Sequence, residues 1–274
     1  MRRYSFGLCA AVAIAWMGAA ALRADDPQKD PPKEPIVPVY HEPHHRQVFQ
    51  YGTTRILDLQ IPPGDKSWFH SHESPVFYVT LGTSRTRTQN LGEEWGGGGA
   101  ARGGAGRGRA AQAPDGDGAA TPPRPAAPPV APGALISRLS STTSYAERPI
   151  THRLENIGES LFRAMVVINE TPGDDATTQE AAGFSGKPEL TNRWFRAYRF
   201  ALSPGESTPM HRHTVPVAVF QVSSGRGGLG VGGMKFEFND PGQWAFFDAG
   251  NTHEIKNAGD ARMEFVEVEV RRAK

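Results

Sequence analysis

The sequence predicts an all-β protein made of two related halves in tandem. Three observations predict it: short runs of apolar, β-branched and aromatic residues, turn residues between those runs, and an internal repeat. The clearest runs are Val76 to Leu81, Phe162 to Ile168, Val215 to Val222, Gln243 to Phe247 and Met263 to Val270. Gly, Pro, Asn and Asp punctuate them, and no amphipathic helical period competes. In the last run, Met263, Phe265, Glu267 and Glu269 fall on one face of a strand and Glu264, Val266, Val268 and Val270 on the other.

Composition bounds what surrounds these strands. A chain of 274 residues with 38% hydrophobic residues can build one large domain or two small ones. Its 31 glycines and 23 prolines exceed the ordinary share, so part of the chain does not pack. A formal charge of +1 gives no general attraction to nucleic acid. Cys9 is the only cysteine, which excludes an internal disulfide, a cysteine-based zinc site and a paired catalytic thiol.

At the N-terminus, Arg2 and Arg3 precede an apolar stretch from Phe6 to Leu22, with small residues from Gly18 to Ala21. That order matches a cleaved secretory signal over residues 1–24, and Arg2-Arg3-Tyr4-Ser5-Phe6 is partly similar to a twin-arginine signal. The expectation is an exported, periplasmic or extracellular protein with no membrane anchor after cleavage. Losing the three arginines of the signal moves the formal charge from +1 to −2. Residues 25–44 read as an extended Pro-rich arm; the clustered His41, His44 and His45 at its end can bind a metal, but without a rigid frame they read as solvated side chains. A second stretch, about 91–133, is too rich in Gly, Ala and Pro to bury a core and reads as a disordered insert. The folded parts are then 45–170 and 193–274, joined by a linker over 171–192.

The repeat carries the chemistry. Arg55-Ile56-Leu57-Asp58-Leu59 leading to Pro63-Gly64-Asp65 recurs as Arg196-Ala197-Tyr198-Arg199-Phe200 leading to Pro204-Gly205-Glu206, an offset of 141. His70-Ser71-His72 matches His211-Arg212-His213 at the same offset. His152 with Asn156 then matches His253 with Asn257 at an offset of 101, and the Gly-, Ala- and Pro-rich insert of the first half absorbs the difference. Six of the nine histidines belong to the repeat. Residues i and i+2 of a strand point to one side, so each His-x-His aims two imidazoles into one space, and His152 or His253 completes a set of three. Neutral imidazoles bind Fe, Mn, Ni, Cu or Zn, and three on one side leave positions open on the ion. One or two divalent transition metals per chain are expected.

These motifs resemble those of the cupin superfamily, and the chain as a whole resembles a bicupin. The first cupin motif is approached by Gly64, His70 and His72, and again by Gly205, His211, His213 and Gly225; the second by Gly242, Gly250, His253 and Asn257. The first half keeps only His152 and Asn156 of the second motif, with Pro149 where glycine is usual. The resemblance implies two jelly-roll barrels, the insert lying in the first. Both halves lack the usual glutamate ligand, whose places fall at Val76 or Phe77 and at Val217 or Ala218, and Glu73 is set by alternation on the opposite face. Three neutral ligands leave the ion's charge uncompensated, which favours an anionic substrate.

Three-histidine cupin sites resemble those of thiol, diketone and ring-cleaving dioxygenases. The resemblance therefore implies a non-haem iron or manganese dioxygenase acting on a small anionic substrate, although no residue stands out as a general base. The alternative is a non-catalytic module that binds a metal or small ligand in the cell envelope. Phe77, Val79, Phe220, Trp244 and Phe246 are candidate pocket walls, and Asn156 and Asn257 are expected to fix turns. Small molecules are the expected partners, nucleic acid is not, and the barrels can pair within one chain or between copies.

Overall fold

Apolar alternation along the strands of each half assembles two sheets whose inner faces pack together. A computed structural model describes residues 34–96, 99–100, 137–171, 181–183 and 186–271. The signal segment, nearly half of the arm, most of the insert and half of the linker lie outside the described residues.

In the first half, one sheet runs β2 (His45–Tyr51), β3 (Thr54–Ile61), β10 (Phe162–Asn169), β5 (Val76–Gly82) and β8 (Arg138–Thr142). Its partner runs β1 (Val37–Pro38), β4 (His70–His72), β9 (Ile150–Asn156), β6 (Arg85–Asn90) and β7 (Gly99–Ala100). The second half repeats the plan. One sheet runs β11 (Leu190–Thr191), β12 (Phe195–Leu202), β19 (Met263–Val270), β14 (Val217–Gln221) and β17 (Trp244–Phe247). The other runs β13 (His211–Arg212), β18 (Thr252–Asn257), β15 (Gly227–Val231) and β16 (Met234–Phe238). The fold is all-β, two barrel-like sandwiches in tandem.

Alternation decides which barrel wall each residue joins. Leu57, Leu59, Ile61, Val76, Ala164, Val166 and Ile168 fill the first interior. Val217, Val219, Leu229, Val231, Ile255, Met263 and Phe265 fill the second. The opposite faces of the same strands meet each other: Ile56, Phe77, Val79, Met165 and Val167 pack with Phe195, Ala197, Ala218, Phe220, Val266, Val268 and Val270 in one core. β10 and β19 are therefore covered on both sides, and every residue of β19 is buried. This explains why Ala164 to Ile168 reads as an unbroken apolar run.

Polar contacts tie the halves at the rim of that core. Tyr51 Oη donates to Asp248 at 2.7 Å, and Arg163 Nη1 donates to the Pro241 carbonyl at 3.0 Å. Gly242 has φ 85°, so the turn favours glycine for its conformation, and a β-carbon there would displace the Arg163 guanidinium.

Candidate metal centres

The second barrel brings its three predicted histidines to one point. β13 and β18 pair with His211 opposite His253, and His213 follows two residues on. Ring centroids lie 4.3 Å apart for His211 and His253, and 5.3 Å apart for each pair that includes His213. A fourth group comes from the facing sheet: Glu267 of β19 reaches His253 Nε2 at 2.8 Å, His213 Nε2 at 2.9 Å and His211 Nε2 at 3.1 Å. One ligand atom from each of these four buried side chains lies within 4.8 Å of the others.

Glu267 changes the expected ligand set. The glutamate of the usual motif position is absent, but a carboxylate enters from another strand, so the second centre is not limited to neutral donors. The alternation Met263, Phe265, Glu267, Glu269 carried this signal, because Phe265 points into the barrel and Glu267 shares its face. Glu73 is exposed.

Neighbouring groups fix the rings. The Pro209 carbonyl accepts from His211 Nδ1 at 2.8 Å, and Glu269 lies 2.7 Å from His213 Nδ1, with Arg196 3.4 Å from the far oxygen of Glu269. His211 Nε2 then faces the Glu267 oxygens, and His213 is held at both nitrogens by carboxylates. Burial opposes a charge on His213, but its bonds to Glu267 and Glu269 outweigh it and raise the pKa to about 9. A divalent ion supplies the positive charge this donor set calls for, and the residues fit one.

That shift has a measurable consequence. Without metal, the His213 ion pair stabilises the fold fully below the unfolded pKa of 6.5, and the contribution is lost as pH rises through about 9. Metal must expel the proton, so affinity at this centre is expected to rise about tenfold per pH unit from neutrality until His213 is neutral. Calorimetry in buffers of different ionisation enthalpy should register about one proton released per ion.

The first barrel gathers His70, His72 and His152, with ring centroids 4.8 to 5.1 Å apart. β4 and β9 pair with His70 opposite His152, the register of His211 opposite His253. Trp68 stands where Pro209 does, and its carbonyl accepts from His70 Nδ1 at 2.9 Å. His70 Nε2 and His72 Nδ1 are buried without a hydrogen-bond partner. Burial and the neighbouring histidines keep His70 and His72 well below the usual imidazole range, and burial with the charge of His45 brings His152 to about 4. Neutral imidazoles with unspent nitrogens suit a metal.

His45 departs from the expectation for the arm. It is 3% exposed, its ring centroid lies 4.4 Å from that of His70, and Glu42 holds its Nδ1 at 2.6 Å. Glu42 also accepts from the backbone N–H of His44, His45 and Trp68. Burial opposes its charge, yet His44 and His45 hold its pKa well below the usual carboxylate range. One carboxylate thus fixes His45 directly and His70 through the Trp68 peptide. The second barrel has no such brace, because Pro209 carries no N–H. The Pro-rich composition hid a buried Glu-x-x-His pair. Glu42→Gln is expected to weaken metal binding at the first centre about tenfold while sparing the second, as loss of a supporting shell does; metal titration of His253→Ala and His253→Ala/Glu42→Gln proteins checks it.

The pocket-wall candidates lie elsewhere. Phe77, Val79 and Phe220 are in the core between the barrels, and Trp244 and Phe246 pack against it. Trp244 also lines a groove of about 530 Å³ with Arg46, Asp58, Arg163 and Phe236, and no histidine borders it. Asn156 and Asn257 tie their turns: each Nδ2 donates to two carbonyls, and each Oδ1 accepts from the glycine N–H two residues on.

Paired sheets with imidazoles converging inside each half define a double-barrel protein equipped to hold metal. Residues 198–269 match the family model described as Cupin domain, and the first half repeats the same barrel plan. AerE from Microcystis aeruginosa has the same fold, with a TM-score of 0.50 and 10% identity over 81% of this chain and 90% of that one. A Cupin 2 conserved barrel domain protein from Leptotrichia buccalis is 10% identical over 82% of this chain and 87% of its own, with a TM-score of 0.43. A cupin domain from Bordetella pertussis is 22% identical over 32% of this chain and 94% of its own, with a TM-score of 0.29. No curated protein matches the sequence.

Proposed function

We propose that this bicupin is an exported metal-dependent dioxygenase that acts on a small anionic substrate, with iron or manganese as its metal. The observation that supports it most is the convergence of His211, His213, His253 and Glu267 on one buried point. Iron or manganese held by the chain's histidine sets would supply activation of oxygen. The chain's own residues hold and orient the ion: the Pro209 carbonyl and Glu269 set the rings, and Phe200 and Phe247, with ring centroids 5.7 Å from His211 and 5.9 Å from His253, shield it from water. Export rests on the Arg2-Arg3 and apolar N-terminal pattern. Among the described residues, no helix is long and apolar enough to cross a membrane.

The complete burial of the second centre favours a second reading, a non-catalytic module that holds a metal or small ligand in the cell envelope. Untagged protein purified from its own secretion route decides between them. Stoichiometric iron or manganese with oxygen uptake on a panel of thiols, diketones and catechols supports the dioxygenase. Metal without uptake supports the binding module, and protein free of transition metal overturns both metal readings.

A further inference from the structure

The two centres differ in what they leave open, a contrast that rests on the metal-binding reading above. Along the paired strands, Val166 opposite Leu57 takes the place of Glu267 opposite Tyr198, and Ile168 opposite Arg55 takes that of Glu269 opposite Arg196. The second barrel therefore closes its own centre: three imidazoles and a carboxylate meet there, none more than 1% exposed. In the first barrel the facing wall is apolar. Val166 and Ile168 belong to its hydrophobic core, and Tyr145 packs 4.8 Å from His72 between ring centroids.

Charge follows from this exchange of side chains. Glu42 does not stand in the place of Glu267: it groups with His45 and His70 rather than with His72 and His152, and its oxygens are bonded to His44, His45 and the Trp68 N–H. An ion held by His70, His72 and His152 alone keeps its full double charge and has a coordination position open. Exposure differs too: His152 is half-buried, whereas His253, its counterpart, is 0% exposed.

We propose a division of labour in which the first barrel is the ligand-accepting centre, taking a small oxyanion such as a carboxylate or enolate where the second barrel has Glu267, and the second centre is closed and structural. The missing negative charge is supplied by the ligand in one barrel and by the chain in the other. This assigns substrate contact to the barrel that keeps less of the cupin motif.

Azide binding to the cobalt(II)-loaded full-length protein tests the assignment, because an anion entering the coordination sphere changes the visible cobalt spectrum. His253→Ala leaves the first centre and His70→Ala leaves the second. The proposal expects azide to act on the His253→Ala protein at a concentration at least about tenfold lower than on the His70→Ala protein. In an otherwise wild-type chain, Val166→Glu should keep cobalt and lose the azide response. Equal responses from the two centres, a stronger response from the second, or full response in a cobalt-loaded Val166→Glu protein would overturn it. Should the wild-type chain bind no cobalt at either centre, the metal reading itself fails, an outcome distinct from an anion response in the wrong barrel.

Discussion

Glu267→Gln is expected to empty the second centre while the first stays loaded. The carboxamide keeps nearly the volume of the carboxylate, so Phe265 and the rest of the interior need not repack, but it carries no charge. Supporting groups around a metal typically account for about 10- to 100-fold in affinity, and a direct anionic ligand accounts for more. Elemental analysis should therefore fall from about two ions per chain to about one after dialysis against a weak chelator. His253→Ala should give the same count by removing a different ligand of the same ion. An unchanged count in Glu267→Gln would show that the three imidazoles suffice and that Glu267 serves only as their counter-charge.

The second large effect concerns the fold. Phe220→Ala removes a fully buried ring from the core shared by both barrels, where Phe195 and Phe77 stand 5.6 Å apart between ring centroids. Truncations of this kind cost about 3 to 5 kcal/mol. Because residues of both halves line the space it fills, the loss should appear as one cooperative transition at lower denaturant. Urea unfolding followed by circular dichroism and by tryptophan fluorescence should give coincident curves. Two separated transitions, with only one shifted, would mean that the barrels unfold independently.

What the sequence disclosed, and what it hid, follows from which interactions are local. Six histidines were legible because the repeat preserves their spacing and strand geometry puts i and i+2 on one side. Glu267 was written in the same kind of alternation, but it comes from a different sheet, and matching motif positions does not find a ligand that arrives across a barrel. His45 was misread because proline content describes the arm's backbone preference, while its burial depends on Glu42 and the Trp68 peptide, 26 residues from Glu42. Phe77, Val79 and Phe220 were rightly placed on strands, yet alternation yields two faces without saying which looks inward. Only the packing of one half against the other decides that, through contacts such as Phe77 with Phe195 that no local pattern records.

The back-to-back core has a consequence for ancestry. A lone half would offer Phe220, Val266, Val268 and Val270, or their first-half counterparts, to water as a broad greasy sheet. Such a piece is stable only when that surface finds a mate, so a single-barrel forerunner would have lived as a symmetric pair. Joining two halves in one chain makes that pairing permanent, so the two interiors can differ, Val166 in one standing where Glu267 stands in the other.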